Sequence, residues 1–229
     1  MFFRTPFFLP WLYPELVWRI STHEKKIYLT FDDGPVPGPT EFVLETLKKF
    51  NARATFFCIG DNVRKHPHVF KKIIADGHTI GNHTFNHIKG WNCSVQKYLD
   101  NIKLCNTQFV KSSIQHPAYS IHLPAETDSV QAGLPASSIQ NLFRPPYGRI
   151  KRKQIKALND YKIIMWDVLS HDYLKSYSEE KCLAGTIRAT RPGSIVVFHD
   201  SVKAEHNLVY ALPRYLDFFS NKGFSFEAI

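Results

Sequence analysis

Two stretches combine residue types and spacings that could do chemistry. In Thr30-Phe31-Asp32-Asp33-Gly34-Pro35, two carboxylates stand side by side after a short apolar run, Ile27-Tyr28-Leu29. Adjacent carboxylates at a strand end repel each other and resist desolvation, so a fold keeps them with a metal, a cation or a shared proton. Alone, Asp-Gly-Pro would also serve as a strand cap and turn. His83-Thr84-Phe85-Asn86-His87 sets two imidazoles four residues apart. On a helical turn that spacing puts both on one face, within reach of one ion. Two histidines and one carboxylate from Asp32-Asp33 leave a coordination position open, the arrangement of catalytic rather than structural zinc. His78 lies inside a short strand and reads as structural.

The elements that must position these groups alternate between strand and helix from Lys26 onward. Val43, Leu44, Leu47 and Phe50 follow the helical period after a Thr40 cap. The run from Ala54 to Ile59 reads as a buried strand ended by Gly60. Pro67 opens a helix with Val69, Phe70, Ile73 and Ile74 on its inner face. Ser94 caps a helix carrying Tyr98, Leu99, Ile102, Cys105 and Phe109. Ser112 to Asn141 follows no period and reads as a loop insertion. The run from Tyr161 to Val168 is predicted as one strand, Ser178 with Glu179 and Glu180 as a helix start, and Ile195 to Phe198 as a buried strand. Helix and strand close the chain, at Leu208 to Phe219 and Phe224 to Ala228. The alternation predicts an α/β fold whose mostly parallel sheet curls into a barrel. In such folds functional residues sit on loops leaving the C-terminal strand ends, which is where Asp32-Asp33, His83, Arg144, Asp172 and His199 fall.

The 229 residues, 44% apolar and 21% charged, suit one soluble domain with a large core. The net charge of +9 is spread over scattered lysines and arginines with no basic arm, which argues against nucleic acid and for a solvated basic exterior. Cys58, Cys93, Cys105 and Cys182 have no zinc-ribbon or redox spacing and read as free thiols, which leans toward a reducing compartment. Residues 1–25 form an aromatic and proline-rich segment expected to pack on the barrel of residues 26–229. Pro6, Pro10 and Pro14 break any signal-peptide helix, and no apolar run is long enough to span a bilayer. A membrane-surface contact through residues 1–20 is the functional alternative for this segment. Location is left between cytoplasm and envelope.

Taken in order, Thr30-Phe31-Asp32-Asp33-Gly34-Pro35, His83-Thr84-Phe85-Asn86-His87, Arg144-Pro145-Pro146-Tyr147-Gly148 and Val197-Phe198-His199 resemble the ordered motifs of the NodB-like polysaccharide deacetylase family. The resemblance runs from about Lys26 to beyond His199. It implies a distorted (β/α) barrel and a division of labour within the carboxylate pair. Asp33 would bind the metal with His83 and His87, while Asp32 would be the general base. A divalent ion lowers the pKa of water to ~7, so a carboxylate suffices as base. Arg144 would hold Asp32 ionised and aimed, although Arg-Pro-Pro-Tyr-Gly alone reads as a rigid turn. The backbone N–H of Tyr147 would face the developing oxyanion. His199 would be the general acid. The family tunes this histidine with an Asp-Trp pair, for which Asp172-Tyr173 stands here, after Trp166-Asp167, with Asp167 a rival. Val197 stands where the family usually has Leu beside the acetyl methyl group.

The expected activity is removal of N-acetyl groups from an amino-sugar polymer such as peptidoglycan or a chitin-like oligosaccharide. The expected cofactor is one divalent ion, zinc first, with nickel or cobalt as alternatives. Deformylation or deacetylation of a lipid-linked sugar, and a carbohydrate-binding protein without catalysis, are the rival readings.

Overall fold

A computed structural model describes residues 2–114 and 139–229. The chain forms β1 (Lys26–Asp32), β2 (Thr55–Cys58), β3 (Thr79–Asn82), β4 (Ile139–Phe143), β5 (Lys162–Ile163), β6 (Val168–Leu169), β7 (Ile195–His199) and β8 (Ser225–Glu227). The helices are α1 (Phe8–Leu12), α2 (Pro39–Lys49), α3 (Gly60–Lys65), α4 (Pro67–Ala75), α5 (Val95–Ile114), α6 (Arg152–Ala157), α7 (Glu179–Ala189) and α8 (Glu205–Ser220). The sheet runs in the order β5-β4-β3-β2-β1-β7-β6, with β8 also against β1, and these strands pair with one another in parallel. It is the expected curled α/β sheet, open between β5 and β6.

Period-two alternation on β1 places the site. Ile27, Leu29 and Phe31 turn into the main core with Val43, Leu47, Leu212 and Leu216 of α2 and α8. Phe31 lies between Phe56 and Phe198, with ring centroids 5.1 and 6.2 Å away. Thr30 and Asp32 therefore face the opposite side, into the concave surface, and are buried there.

Three expectations change in detail. The predicted strand from Tyr161 to Val168 is two short strands: Ile164 N still donates to Phe143 O of β4 at 2.8 Å, but Met165 N then turns to Val17 O at 2.7 Å. The predicted insertion from Ser112 to Asn141 lies mostly outside the described residues, α5 continuing to Ile114 and β4 starting at Ile139. Thr40 is not the cap of α2. Gly38 occupies that position at φ 87°, and the Thr40 hydroxyl is committed to Asp200, 2.7 Å away.

The N-terminal segment runs along the open seam. Leu169 N donates to Phe3 O at 2.9 Å, Thr5 N to Asp167 O at 2.8 Å, Val17 N to Ile163 O at 2.9 Å, and Ile20 N to Gly193 O at 2.9 Å. The Phe3 ring lies against α7 at Gly185, where a Cβ would meet it at 2.2 Å, so only glycine admits this contact. Tyr13 and Trp18 pack on a second core around Leu16, Phe143 and Met165. The other aromatics differ from the expected packing: α1 buries no residue, and Phe2, Phe7 and Trp11 are 83%, 90% and 79% exposed. No helix among the described residues is long and apolar enough to cross a membrane.

Candidate active site

Asp32 and His199 are register partners at the C-terminal ends of adjacent strands β1 and β7, which sets a carboxylate beside an imidazole by backbone pairing alone. After Asp32 the chain turns sharply, with Asp33 at φ 79° in the left-handed region. This turn is pinned from β7: the Asp200 carboxylate accepts from Gly34 N at 3.0 Å and from the Thr40 hydroxyl at 2.7 Å. Thr40 in turn accepts from Val36 N at 2.8 Å. A Cβ on Gly34 would lie 1.9 Å from the Asp200 carboxylate, so this turn requires glycine. Consecutive carboxylates thus leave the strand in different directions, Asp32 inward and Asp33 toward the opening.

Asp33 meets the two histidines. Its Oδ1 lies 3.7 Å from His83 Nε2 and 3.2 Å from His87 Nε2. Three donors on one tetrahedral ion at ~2.0–2.1 Å lie about 3.4 Å apart, so this set fits a single zinc-sized ion. His83 Nδ1 donates to Arg144 O at 2.8 Å, which fixes its tautomer and leaves Nε2 free to coordinate. Burial pushes the His83 pKa down to about 4, against the pull of Asp32, so the imidazole is neutral and its lone pair available. Burial opposes charge on Asp33, but the His87 hydrogen bond and the nearby His199 and His83 outweigh it. The carboxyl is held well below the usual range.

The predicted helical turn at His83–His87 is instead a bend, with Thr84 at φ 65° and His87 at φ 57°. Side-chain amides hold it: Asn82 Oδ1 accepts from Thr84 N and Asn101 Oδ1 from Phe85 N, both at 2.8 Å. Those bonds replace the backbone ladder a helix would offer. Left-handed non-glycine residues gather here, with Asp33, Thr84, His87 and Tyr147 (φ 61°) all on loops around the three ligand-type side chains.

Arg144 is fully buried and makes every contact a guanidinium can usefully make there. Nη1 donates to Asp32 Oδ1 and Thr30 Oγ1, each at 2.7 Å, Nη2 to Met165 O at 2.8 Å, and Nε to Ile164 O at 3.2 Å. Its plane covers the Phe57 ring at 4.1 Å. Two carbonyls fix the fork, and the fork fixes Asp32.

His199 is tied to Asp172 twice, Nδ1 donating to Oδ1 and the backbone N to Oδ2, both at 2.7 Å. Burial favours neutral imidazole, but Asp172, and then Asp33 and Asp32, lift the His199 pKa to about 9. Asp167 does not compete for this role: it receives Arg4 Nε at 3.1 Å and the Ser194 hydroxyl at 2.6 Å. Tyr173 sets its ring edge-on to His199 at 4.8 Å. Trp166 and Tyr147 line the cleft, and Tyr147 rests on His87 at 4.5 Å. Val197 is fully buried two residues below His199, and the cleft wall is Leu169, its register partner on β6.

The resulting cleft is about 770 Å³ and contains Asp32, Asp33, His83, His87 and His199. Sequence reasoning did not single out Asp200, nor Lys89, Trp91, Arg149 and Lys203 around the mouth. Only the position of Asp200 directly after His199 offered a signal.

Residues 19–132 match the family model for polysaccharide deacetylase, a range holding Asp32, Asp33, His83 and His87. A Bacillus cereus peptidoglycan-N-acetylglucosamine deacetylase is 30% identical over 219 residues, 93% of this chain and 91% of the relative. An Azorhizobium caulinodans chitooligosaccharide deacetylase is 30% identical over 80% of this chain and 77% of its own. A crystal structure of a peptidoglycan N-acetylglucosamine deacetylase superposes with a TM-score of 0.80 at 26% identity, covering 98% of this chain and 95% of that one. A Bacillus anthracis pseudoenzyme shares the fold with a TM-score of 0.74 at 22% identity, so the fold alone does not carry activity. With its ordered motifs gathered into one cleft and near full-length relatives on both sides, the chain belongs to the polysaccharide deacetylase family.

Proposed function

We propose that the protein is a metal-dependent amidohydrolase that removes N-acetyl groups from an amino-sugar polymer, peptidoglycan or a chitin-like oligosaccharide. The observation that carries this reading is the division of two consecutive carboxylates, Asp32 bound to Arg144 and Asp33 facing two imidazoles. Asp33, His83 and His87 would hold one divalent ion, zinc first for two nitrogens and one oxygen and then nickel or cobalt, which would supply Lewis acidity to water and to the amide carbonyl. Asp32 takes the proton from the attacking water, its lone pairs aimed by Arg144. As the water oxygen bonds to the acyl carbon, the Tyr147 N–H donates to the carbonyl oxygen. His199 gives its proton to the amine nitrogen as the C–N bond breaks, releasing acetate and a free amine. Asp172 holds that imidazole in the donating orientation. Trp166 and Tyr173 offer flat faces to sugar rings, and Val197 backs the floor under His199.

The names of the Bacillus cereus and Azorhizobium relatives, for peptidoglycan N-acetylglucosamine and for chitooligosaccharide, support this substrate class. The test is acetate release from acetylated chito-oligosaccharides and from peptidoglycan with zinc added. Stoichiometric metal with no release from either would favour a carbohydrate-binding protein without catalysis.

A lipid-linked sugar is a second reading, supported by the exposed Phe2, Phe7 and Trp11 on a segment that carries Arg4. Such aromatics suit a membrane interface. Because residues 3–20 bond along the seam, substitution is a cleaner test than deletion. Phe7→Ser with Trp11→Ser should abolish co-sedimentation with anionic liposomes, and equal binding by wild type and variant would refute the contact.

A further inference from the structure

We infer that the mouth of the cleft is an anion subsite, in which Lys89, Arg149 and Lys203 receive the carboxylate of an acidic N-acetylated glycan. This rests on the deacetylase reading and narrows its substrate. The three cations come from three separate loops, after β3, β4 and β7, and converge on the one cleft that holds the histidines and carboxylates. Each is held over an aromatic ring: Lys89 Nζ 4.6 Å from the Tyr147 centroid, Arg149 Cζ 4.2 Å from Trp91, and Lys203 Nζ 5.1 Å from Tyr173. The Trp91 ring is itself fixed, its Nε1 donating to Ile150 O at 3.1 Å.

A cation over a ring face is restrained without spending its N–H donors on another group. Among the described residues none of the three has a carboxylate partner, unlike Arg4, Lys26, Arg64, Lys65 and Lys72. Among the described residues the carboxylates lining the cleft are Asp32 and Asp33, already engaged by Arg144 and by the imidazoles. A neutral sugar chain would be served by the aromatic rings alone. Three unpaired cations around the entrance add attraction for negative charge, which raises the local concentration of an acidic polymer. Surface lysines are ordinarily a solvated face. Other cations also lie over rings, Lys181 on Tyr177 and Arg214 on Tyr210 among them, and what separates these three is convergence from three loops on the one opening that holds the reacting groups.

The test compares peptide-free peptidoglycan strands, whose muramic acid units bear carboxylates, with the same strands after conversion of those carboxylates to methylamides. Wild type should favour the acidic strands by roughly tenfold in kcat/KM at low salt. The preference should shrink as sodium chloride rises from about 20 to about 500 mM. K89Q/R149Q/K203Q should bring the ratio close to one, and the charge-conserving K89R/R149K/K203R should keep it. Equal rates on both strand forms by wild type, or a preference that survives the glutamine variant, would overturn the subsite. Calorimetric affinities for the two strand forms read the same ratio without turnover. Absence of acetate release therefore refutes the deacetylase reading alone, and equal affinities refute the subsite alone.

Discussion

Replacing Asp172 with asparagine isolates the proton-donor role of His199. The side chain keeps its shape and one acceptor for the His199 bonds, but loses the charge that is the largest influence lifting the histidine from 6.5 to about 9. With that lift the wild-type imidazole is ~90% protonated at pH 8, and with an ordinary value near 6.5 the variant is ~3% protonated. At pH 6 the two fractions are close to complete and ~75%. If His199 must carry a proton to release the amine, Asp172→Asn should cost about thirtyfold in kcat/KM at pH 8 and less than twofold through protonation at pH 6. The charge of a bound ion opposes protonation in both proteins alike, so the diagnostic is the growth of the deficit with pH. The assay is acetate release across pH 5.5 to 9 at matched metal content. A deficit of the same size at every pH would refute the reasoning, since it would mean that Asp172 acts on geometry alone. The same pair has a thermodynamic sign. A raised histidine pKa stabilises the fold fully below 6.5, and that contribution is lost as pH rises through about 9. The stability gap between wild type and variant should therefore close on the alkaline side.

Four further substitutions test the other groups. Asp32→Asn should abolish turnover with metal content intact, whereas His83→Ala should lose both; equal metal loss by elemental analysis would reverse the roles given to the carboxylate pair. Arg144→Ala leaves Asp32 buried without its cation and two carbonyls without donors, and should destabilise by ~3–5 kcal/mol in denaturant unfolding. Asp200→Ala leaves Gly34 N and the Thr40 hydroxyl unpaired beneath the Asp33 turn. It should cost ~1–3 kcal/mol and weaken metal affinity, read by competition with a chelating dye; unchanged affinity would mean that the turn holds Asp33 without the clamp.

Much of the site was legible because its reacting groups sit in contiguous motifs at strand ends. Asp32-Asp33, Arg144 and His199 each follow an apolar run, His83 follows the short strand β3 with His87 four residues on, and a parallel α/β sheet gathers such positions at one edge. What escaped was contact made by single residues across the fold. Asp200 clamps a turn 160 residues upstream through Thr40, a link that no spacing encodes. The His83–His87 spacing suggested a helix, but Asn82 and Asn101 side chains supplied the hydrogen bonds that made a bend cheaper. Lys89, Trp91, Arg149 and Lys203 carry no period and acquire meaning only through the loops that bring them together. The strand predicted from Tyr161 to Val168 broke because Met165 found its acceptor at Val17, far away in sequence.

That last contact belongs to the segment along the seam, and its consequence concerns the order in which the protein is made. Residues 3–20 leave the ribosome well before their backbone partners at Ile163, Met165, Asp167, Leu169 and Gly193 are translated. Until then Phe3, Trp18 and their neighbours have nothing to cover, and strands β1 to β4 must assemble with one flank unprotected. Closing so long a loop is slow, and the waiting aromatic stretch is a natural chaperone target during synthesis. Ribosome-bound chains stopped before residue 160 should be digested by protease within the first 20 residues, and chains extended past 195 should resist. Equal digestion of both would show that the seam does not order the nascent chain.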